Sequence, residues 1–170
     1  MRKKEHKWIL IVFAAIIFVG VMFMPPKDFR MKDGRLETYE GGEKTVTIPR
    51  LVKTIGSKAF DSTVVETLII PGSVKKIEGG AFAYSKITTF VVKEGVEEIA
   101  EDAFRNTKPL DVLLPSTIKT PIDFNQRDGE EKVRIHIVKD SYIDKYLQDN
   151  PIKKNYEIKY DYKELIKKYA

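Results

Sequence analysis

Three hexapeptides decide how this chain folds: Ile55-Gly56-Ser57-Lys58-Ala59-Phe60, Ile77-Glu78-Gly79-Gly80-Ala81-Phe82 and Ile99-Ala100-Glu101-Asp102-Ala103-Phe104. Their Phe residues recur at a spacing of 22. Outward from them, other columns keep the same period: Val46, Leu68, Phe90 and Val112; Ile48, Ile70, Val92 and Leu114; Val52, Val74, Val96 and Ile118. Pro49, Pro71 and Pro115 form a further column, in which Lys93 replaces one Pro. Agreement in so many columns over three to four copies identifies a repeat architecture.

The physics of each copy follows from its residues. TVTIP (45–49), TLIIP (67–71), TFVVK (89–93) and DVLLP (111–115) are short alternating strands that end at a turn. Such a strand is too short to bury its apolar side alone, but stacked copies share one continuous core. The fold class predicted is therefore mainly β with short helices, a short solenoid of about 22-residue repeats. Phe60, Phe82 and Phe104 are expected to stack as an interior spine, with Gly56, Gly79 and Gly80 in tight turns. The fourth copy departs from the pattern. Pro121 takes the place of the return-path Ile, Asp123-Phe124-Asn125 replaces the Ala-Phe step, and the loop Gln126–Lys132 follows. Terminal repeats are atypical because one face has no neighbour.

The pattern I-P-x-x-V-x-x-I-x-x-x-A-F over residues 45–126 resembles the BspA-type leucine-rich repeats of bacterial surface proteins. Lys32–Gly42 is similar to the first cap of that family, and Arg134–Tyr142 to its closing strand and short helix. The resemblance implies surface adhesion or recognition through a protein partner. The domain organisation expected is a cytoplasmic tail and signal anchor over 1–24 and a linker with N-terminal cap over 25–44. Leucine-rich repeats over 45–126 and a C-terminal cap over 127–170 follow.

The charge is concentrated at the N-terminus. The chain has 30 Lys and Arg against 25 Asp and Glu, and residues 1–7 alone hold four basic residues against one acidic. The remainder is nearly balanced, so the basic stripe that nucleic-acid binding requires is missing and no such partner is expected. Residues 8–24, WILIVFAAIIFVGVMFM, carry no charge. As a helix these 17 residues reach ~25 Å, close to a hydrocarbon core, with Trp8, Lys7 and Lys27 at the interfaces. Val21-Met22-Phe23-Met24 offers no small residues for signal cleavage, so a single-pass signal anchor is expected, with the N-terminus cytoplasmic and the repeats extracytoplasmic. Pro25–Gly34 is the only stretch left for a stalk.

Catalytic chemistry finds little support. The absence of Cys excludes disulfides, thiol catalysis and Cys-ligated zinc. No nucleotide-binding glycine loop, HExxH or GxSxG occurs, and Leu114-Pro115-Ser116-Thr117, which superficially matches a sortase signal, lies in the repeat's own Pro column. No catalytic, cofactor-binding or metal residues are assigned; no enzyme and no small-molecule cofactor are expected. An envelope accessory protein holding a partner of the same cell is the second reading, and a hydrolase the third.

The strands supply a candidate binding face instead. Alternation turns Leu68 and Ile70 inward and two columns outward: Thr45, Thr67, Thr89 and Asp111, and Thr47, Ile69, Val91 and Leu113. Arg134 and His136 extend the two columns on the closing strand. Ile69, Val91 and Leu113 form an apolar ladder on the outward side: facing water it marks a contact site, as contiguous exposed apolar patches do, and the alternatives are that it reflects β propensity alone or that the C-terminal cap covers it. Thr67, Ile69, Thr89, Val91, Asp111, Leu113, Arg134 and His136 are the candidate protein-binding residues, with Asp111 and Arg134 read as a cross-strand ion pair. On this reading Val91→Asp leaves the fold intact. At the C-terminus, Ser141–Asn150 suits a short helix, and Tyr156, Ile158 and Tyr160 alternate as in a strand. Tyr162, Leu165, Ile166 and Tyr169 make a helical stripe, with Lys163, Lys167 and Lys168 mostly off it. Two readings of that helix remain: docking on the open end of the solenoid, which is favoured, or contact with a membrane or partner.

Overall fold

A computed structural model describes residues 26–126, 131–153 and 155–170. The expected membrane segment, residues 8–24, and residues 127–130 of the loop after Gln126 lie outside the described residues. Among the described residues no helix is long and apolar enough to cross a membrane. The chain forms a mainly β solenoid of about five turns with few short helices.

A hairpin opens the fold, β1 (Phe29–Lys32) against β2 (Arg35–Tyr39), turning at Asp33 and Gly34, both with positive φ. It starts earlier than the sequence suggested. Phe29 and Met31 pack against the core, which draws the chain into a strand and shortens any stalk. Each repeat then gives one strand to each of two ladders. One ladder holds β3 (Thr45–Thr47), β5 (Thr67–Ile70), β7 (Thr89–Val92) and β9 (Asp111–Leu113). The other holds β4 (Thr54–Ile55), β6 (Lys76–Ile77) and β8 (Glu98–Ile99), added in parallel to β2. The first ladder is extended in parallel by β10 (Val133–His136) and β11 (Tyr156–Lys159), giving the order β11-β10-β9-β7-β5-β3. Helix α1 (Tyr142–Asp149) is capped by Ser141, whose hydroxyl accepts from the Asp144 amide, and adds Ile143 and Leu147 to the core.

The aromatic spine holds these short rungs together. Ring centroids of Tyr39, Phe60, Phe82, Phe104 and Phe124 follow one another at 5.4, 6.1, 5.6 and 5.4 Å. Phe90 enters from β7 at 4.9 Å from Phe82 and 4.8 Å from Phe104. The spine is longer than the repeat predicted. Phe124 sits in a 3-10 turn (Phe124–Gln126) and still stacks, although the fourth copy has lost its Ala-Phe step. Pro121 occupies the Ile column of the fourth copy, and the second ladder ends at β8. The hydroxyl of the preceding Thr120 closes the edge of β8, accepting from the Ile99 amide at 2.9 Å and donating to the Ile99 carbonyl at 2.8 Å.

Two glycines answer to close approach. A Cβ on Gly72 would collide with the Glu94 carbonyl of the next turn. A Cβ on Gly56 would meet the Arg35 guanidinium at 2.5 Å, because that side chain passes over Gly56 to reach Glu78. The Arg35–Glu78 pair is a two-pronged contact of 3.0 and 2.7 Å, and the Ser57 amide donates to the same carboxylate at 3.0 Å. Arg35 thereby ties the opening hairpin to a strand two places along the ladder, β2-β4-β6. Its hydrogen bonds hold the Glu78 carboxyl well down, at about 2, against the opposing pull of burial.

Phe82→Ala is expected to cost about 3–5 kcal/mol, since it empties the middle of the spine. Thr67→Ala, on the outward side of β5, is expected to stay within about 0.5 kcal/mol. Urea melts of the two variants check the inward and outward assignment. The Arg35–Glu78 tie gives a second expectation. A carboxyl whose pKa is lowered on folding adds stability above its unfolded value of 4.5 and loses it as the pH falls through about 2. Glu78→Gln removes that contribution, so the variant loses stability at neutral pH and its stability falls less steeply between those two pH values. Thermal melts at stepped pH measure both effects.

Candidate functional site

The outward columns of the six-stranded sheet run as the alternation of the strands dictates. Register pairs Thr45 with Thr67, Thr67 with Thr89, Thr89 with Asp111, Asp111 with Arg134 and Arg134 with Glu157. The second column is Thr47, Ile69, Val91, Leu113, His136 and Lys159. β11 lengthens both columns by one residue that sequence reasoning did not place there.

The expected water-facing ladder is corrected by the C-terminal segment. Val91 and Leu113 are both 0% exposed. They form a second apolar cluster with Tyr162, against which Ile69, Val138, Leu165, Ile166 and Tyr169 pack. The covering segment is helix α2 (Tyr162–Leu165) followed by a 3-10 turn (Ile166–Tyr169). The predicted stripe is thus the face that docks, but it docks across the strands and not on the end of the solenoid. The reason is area: Val91 and Leu113 already present an apolar row, and burying a row that size is worth a few kcal/mol. Tyr162 fixes the position, being 2% exposed and donating its hydroxyl to the Val92 carbonyl at 2.9 Å. Burial pushes the Tyr162 hydroxyl pKa up, so it remains a donor.

A polar cluster flanks this apolar contact. Arg134 grips Asp111 with both nitrogens of one edge, Nε lying 2.6 Å from Oδ1. His136, 4% exposed, has Nε2 at 3.2 Å from Asp111 and Nδ1 at 2.6 Å from Asp161, the residue before α2. Both ring nitrogens face carboxylates, so the imidazole donates to both only when doubly protonated. Burial pushes the Asp111 carboxyl up, but the hydrogen bonds from Arg134 and His136 outweigh it and hold it below its ordinary value. Asp161 and Tyr162 were not among the sequence-derived candidates; nothing in a linear pattern pairs them with residues 25 and 70 positions away.

The cluster is therefore a fastening for the C-terminal strap. Among the described residues, none of the hydrogen bonds it makes reaches a Ser or Thr hydroxyl that would serve as a nucleophile. Among the described residues no group of three or more His, Asp or Glu is placed to hold a metal ion. Of the eight candidate binding residues, Val91, Leu113 and His136 are covered. Thr67, Ile69, Thr89, Asp111 and Arg134 stay partly exposed along the strap's flank.

Val91→Asp now has a different expected outcome from the one its outward position suggested. It places a carboxylate with no partner under Tyr162, which is expected to cost about 3 kcal/mol or more or to release the strap. Hydrogen exchange of residues 161–170, compared with the circular dichroism of the whole chain, separates the two results. Unchanged protection in the variant would show that Val91 is not covered.

No curated protein and no solved structure matches the chain. A family model described as BspA type Leucine rich repeat region matches residues 41–123 in six copies, the same stretch whose rungs and Phe spine build the solenoid. Residues 41–123 of the chain are thus a BspA-type leucine-rich repeat region.

Proposed function

We propose that this is a membrane-anchored extracytoplasmic leucine-rich-repeat protein that mediates protein–protein interaction or adhesion at the bacterial cell surface, and that it is not an enzyme. The observation that carries the reading is the BspA-type repeat array, a scaffold whose family suggests protein contact or a surface role. The uncharged run 8–24, preceded by basic residues, supports the anchor. The contact face is the flank left beside the strap: Thr67, Thr89, Asp111 and Arg134 in one column, with Ile69 at its edge. Val91, Leu113 and His136 act beneath it by seating the strap.

One observation favours the second reading, an envelope accessory protein holding a partner of the same cell. β1 begins at Phe29, so four residues separate it from Met24. Fully extended, they reach about 14 Å, which keeps the solenoid against the membrane.

The absence of Cys makes the test simple, because one introduced thiol is the only one. Lys76→Cys, exposed on β6, is expected to react with a membrane-impermeant maleimide in intact cells. Reaction only after permeabilisation would place the repeats inside. A photocrosslinking residue at Thr67 or Thr89 is expected to trap a protein, whereas one at Lys76 on the opposite ladder is not. Crosslinks formed in a pure culture identify an envelope partner, and crosslinks that require added foreign cells identify adhesion. Equal trapping from both ladders would overturn the assigned face.

A further inference from the structure

The strap fills only part of the outward row. It covers Val91 and Leu113 and stops beside Ile69, and past that point the row continues uncovered to Thr47 on the edge strand β3. The strap's own side and the turn after β5 wall in a groove there of about 630 Å³. Ile69, Pro71 and Ile166 give it an apolar lining, continuous with the contact that seats Tyr162. Its rim is cationic, with Arg50 from the turn after β3, Lys93 from the turn after β7 and Lys167 from the strap.

These charges are available. Arg50 and Lys93 make no ion pair with any described residue. Lys167 pairs with Glu164 at 3.0 Å, but both side chains are largely exposed, so the pair is worth little and exchanges readily. Glu94 is the one carboxylate side chain on the lining, and it is engaged by the amide and hydroxyl of Ser116 at 3.1 Å. The row already demonstrates what it accepts, since a short stretch of chain with apolar side chains lies on its other half. Two strands set at about 4.8 Å leave room for one further segment of chain.

We propose that this groove seats a short extended segment of a partner protein, with a branched apolar or aromatic side chain resting on Ile69 and Ile166 and flanking carboxylates directed at Arg50, Lys93 and Lys167. The inference rests on the reading above that the partner is a protein, and it adds the chemistry of the segment recognised. An anionic lipid headgroup would use the cations but leave the apolar lining unfilled, so the peptide is favoured by the combination.

The test uses the full chain in nanodiscs of zwitterionic lipid. A random linear peptide library displayed on phage is selected on it, and the enriched peptides are measured by fluorescence anisotropy. Enrichment of sequences that join Asp or Glu to Leu, Ile, Val or Phe is expected. Arg50→Glu and Lys93→Glu should each weaken such a peptide tenfold or more, and Ile69→Thr severalfold. Lys145→Glu on α1 should leave it unchanged. Binding should also fall steeply between low and high salt. Bound peptide should protect Lys93 and Lys167 from acetylation, read by mass spectrometry. Circular dichroism of each variant confirms the fold.

Enrichment of basic or uncharged peptides, or binding indifferent to Arg50→Glu and Lys93→Glu, would overturn the proposal. Protection of Lys93 by glycerol phosphate without any peptide binding would overturn it in favour of a lipid headgroup. If no peptide binds while Thr67 or Thr89 still crosslinks to a protein in cells, the groove is wrong and the protein-contact reading stands. If neither occurs, both fail.

Discussion

Phe stacking at a fixed 22-residue spacing is the constraint on which the rest of this molecule depends. Strands of two to four residues cannot hold a sheet by backbone bonding alone, because each contributes too few contacts to offset the entropy of ordering it. The rings of Phe60, Phe82 and Phe104 solve this by sitting at 6.1 and 5.6 Å from one another, so that each rung closes on its neighbour through a large apolar side chain. Tyr39 below and Phe124 above carry the same contact into both caps. Once that stack sets the distance between turns, the register of both ladders follows. So do the outward columns and the close approach of Gly72 to the next turn.

The outward face shows how a repeat protein differentiates one side while keeping its frame. The first column stays polar and open. The second is apolar at Ile69, Val91 and Leu113 and then polar at His136, and the chain folds back over just that change. Tyr162, Leu165 and Ile166 meet the apolar members, while Asp161 meets His136. The strap therefore recognises the row by its composition, residue against residue. A short helix with few internal bonds relies on such matching for its position.

The repeat frame was legible because it is written in many columns at once; the inward Leu68, Ile70 and Phe82 needed only periodicity. Ser141 as a cap and the apolar stripe Tyr162, Leu165, Ile166 and Tyr169 were legible from local rules. Three features were not. Phe124 keeps its place in the spine at a spacing of 20 from Phe104, which a search at 22 passes over. Pro121 marked the end of a pattern, but not that the Thr120 hydroxyl would take up both the amide and the carbonyl of Ile99. The covering of Val91 and Leu113 depends on where a distant amphipathic stripe lands, and a stripe carries no address. The period of the strands fixed which residues face outward, and outward was not the same as wet.

The strap also sets how much of the outward face a longer array would leave open. Adding one 22-residue unit to a parallel ladder lengthens the sheet by a single strand spacing, about 4.8 Å, without disturbing the spine. The segment 161–170, however, is matched to a row of given length through His136 at one end and Ile69 at the other. A duplicated unit would leave one more outward position bare, so unequal recombination within the repeats would widen the uncovered face in steps. In this chain, copy number and the open area of the outward face are the same variable.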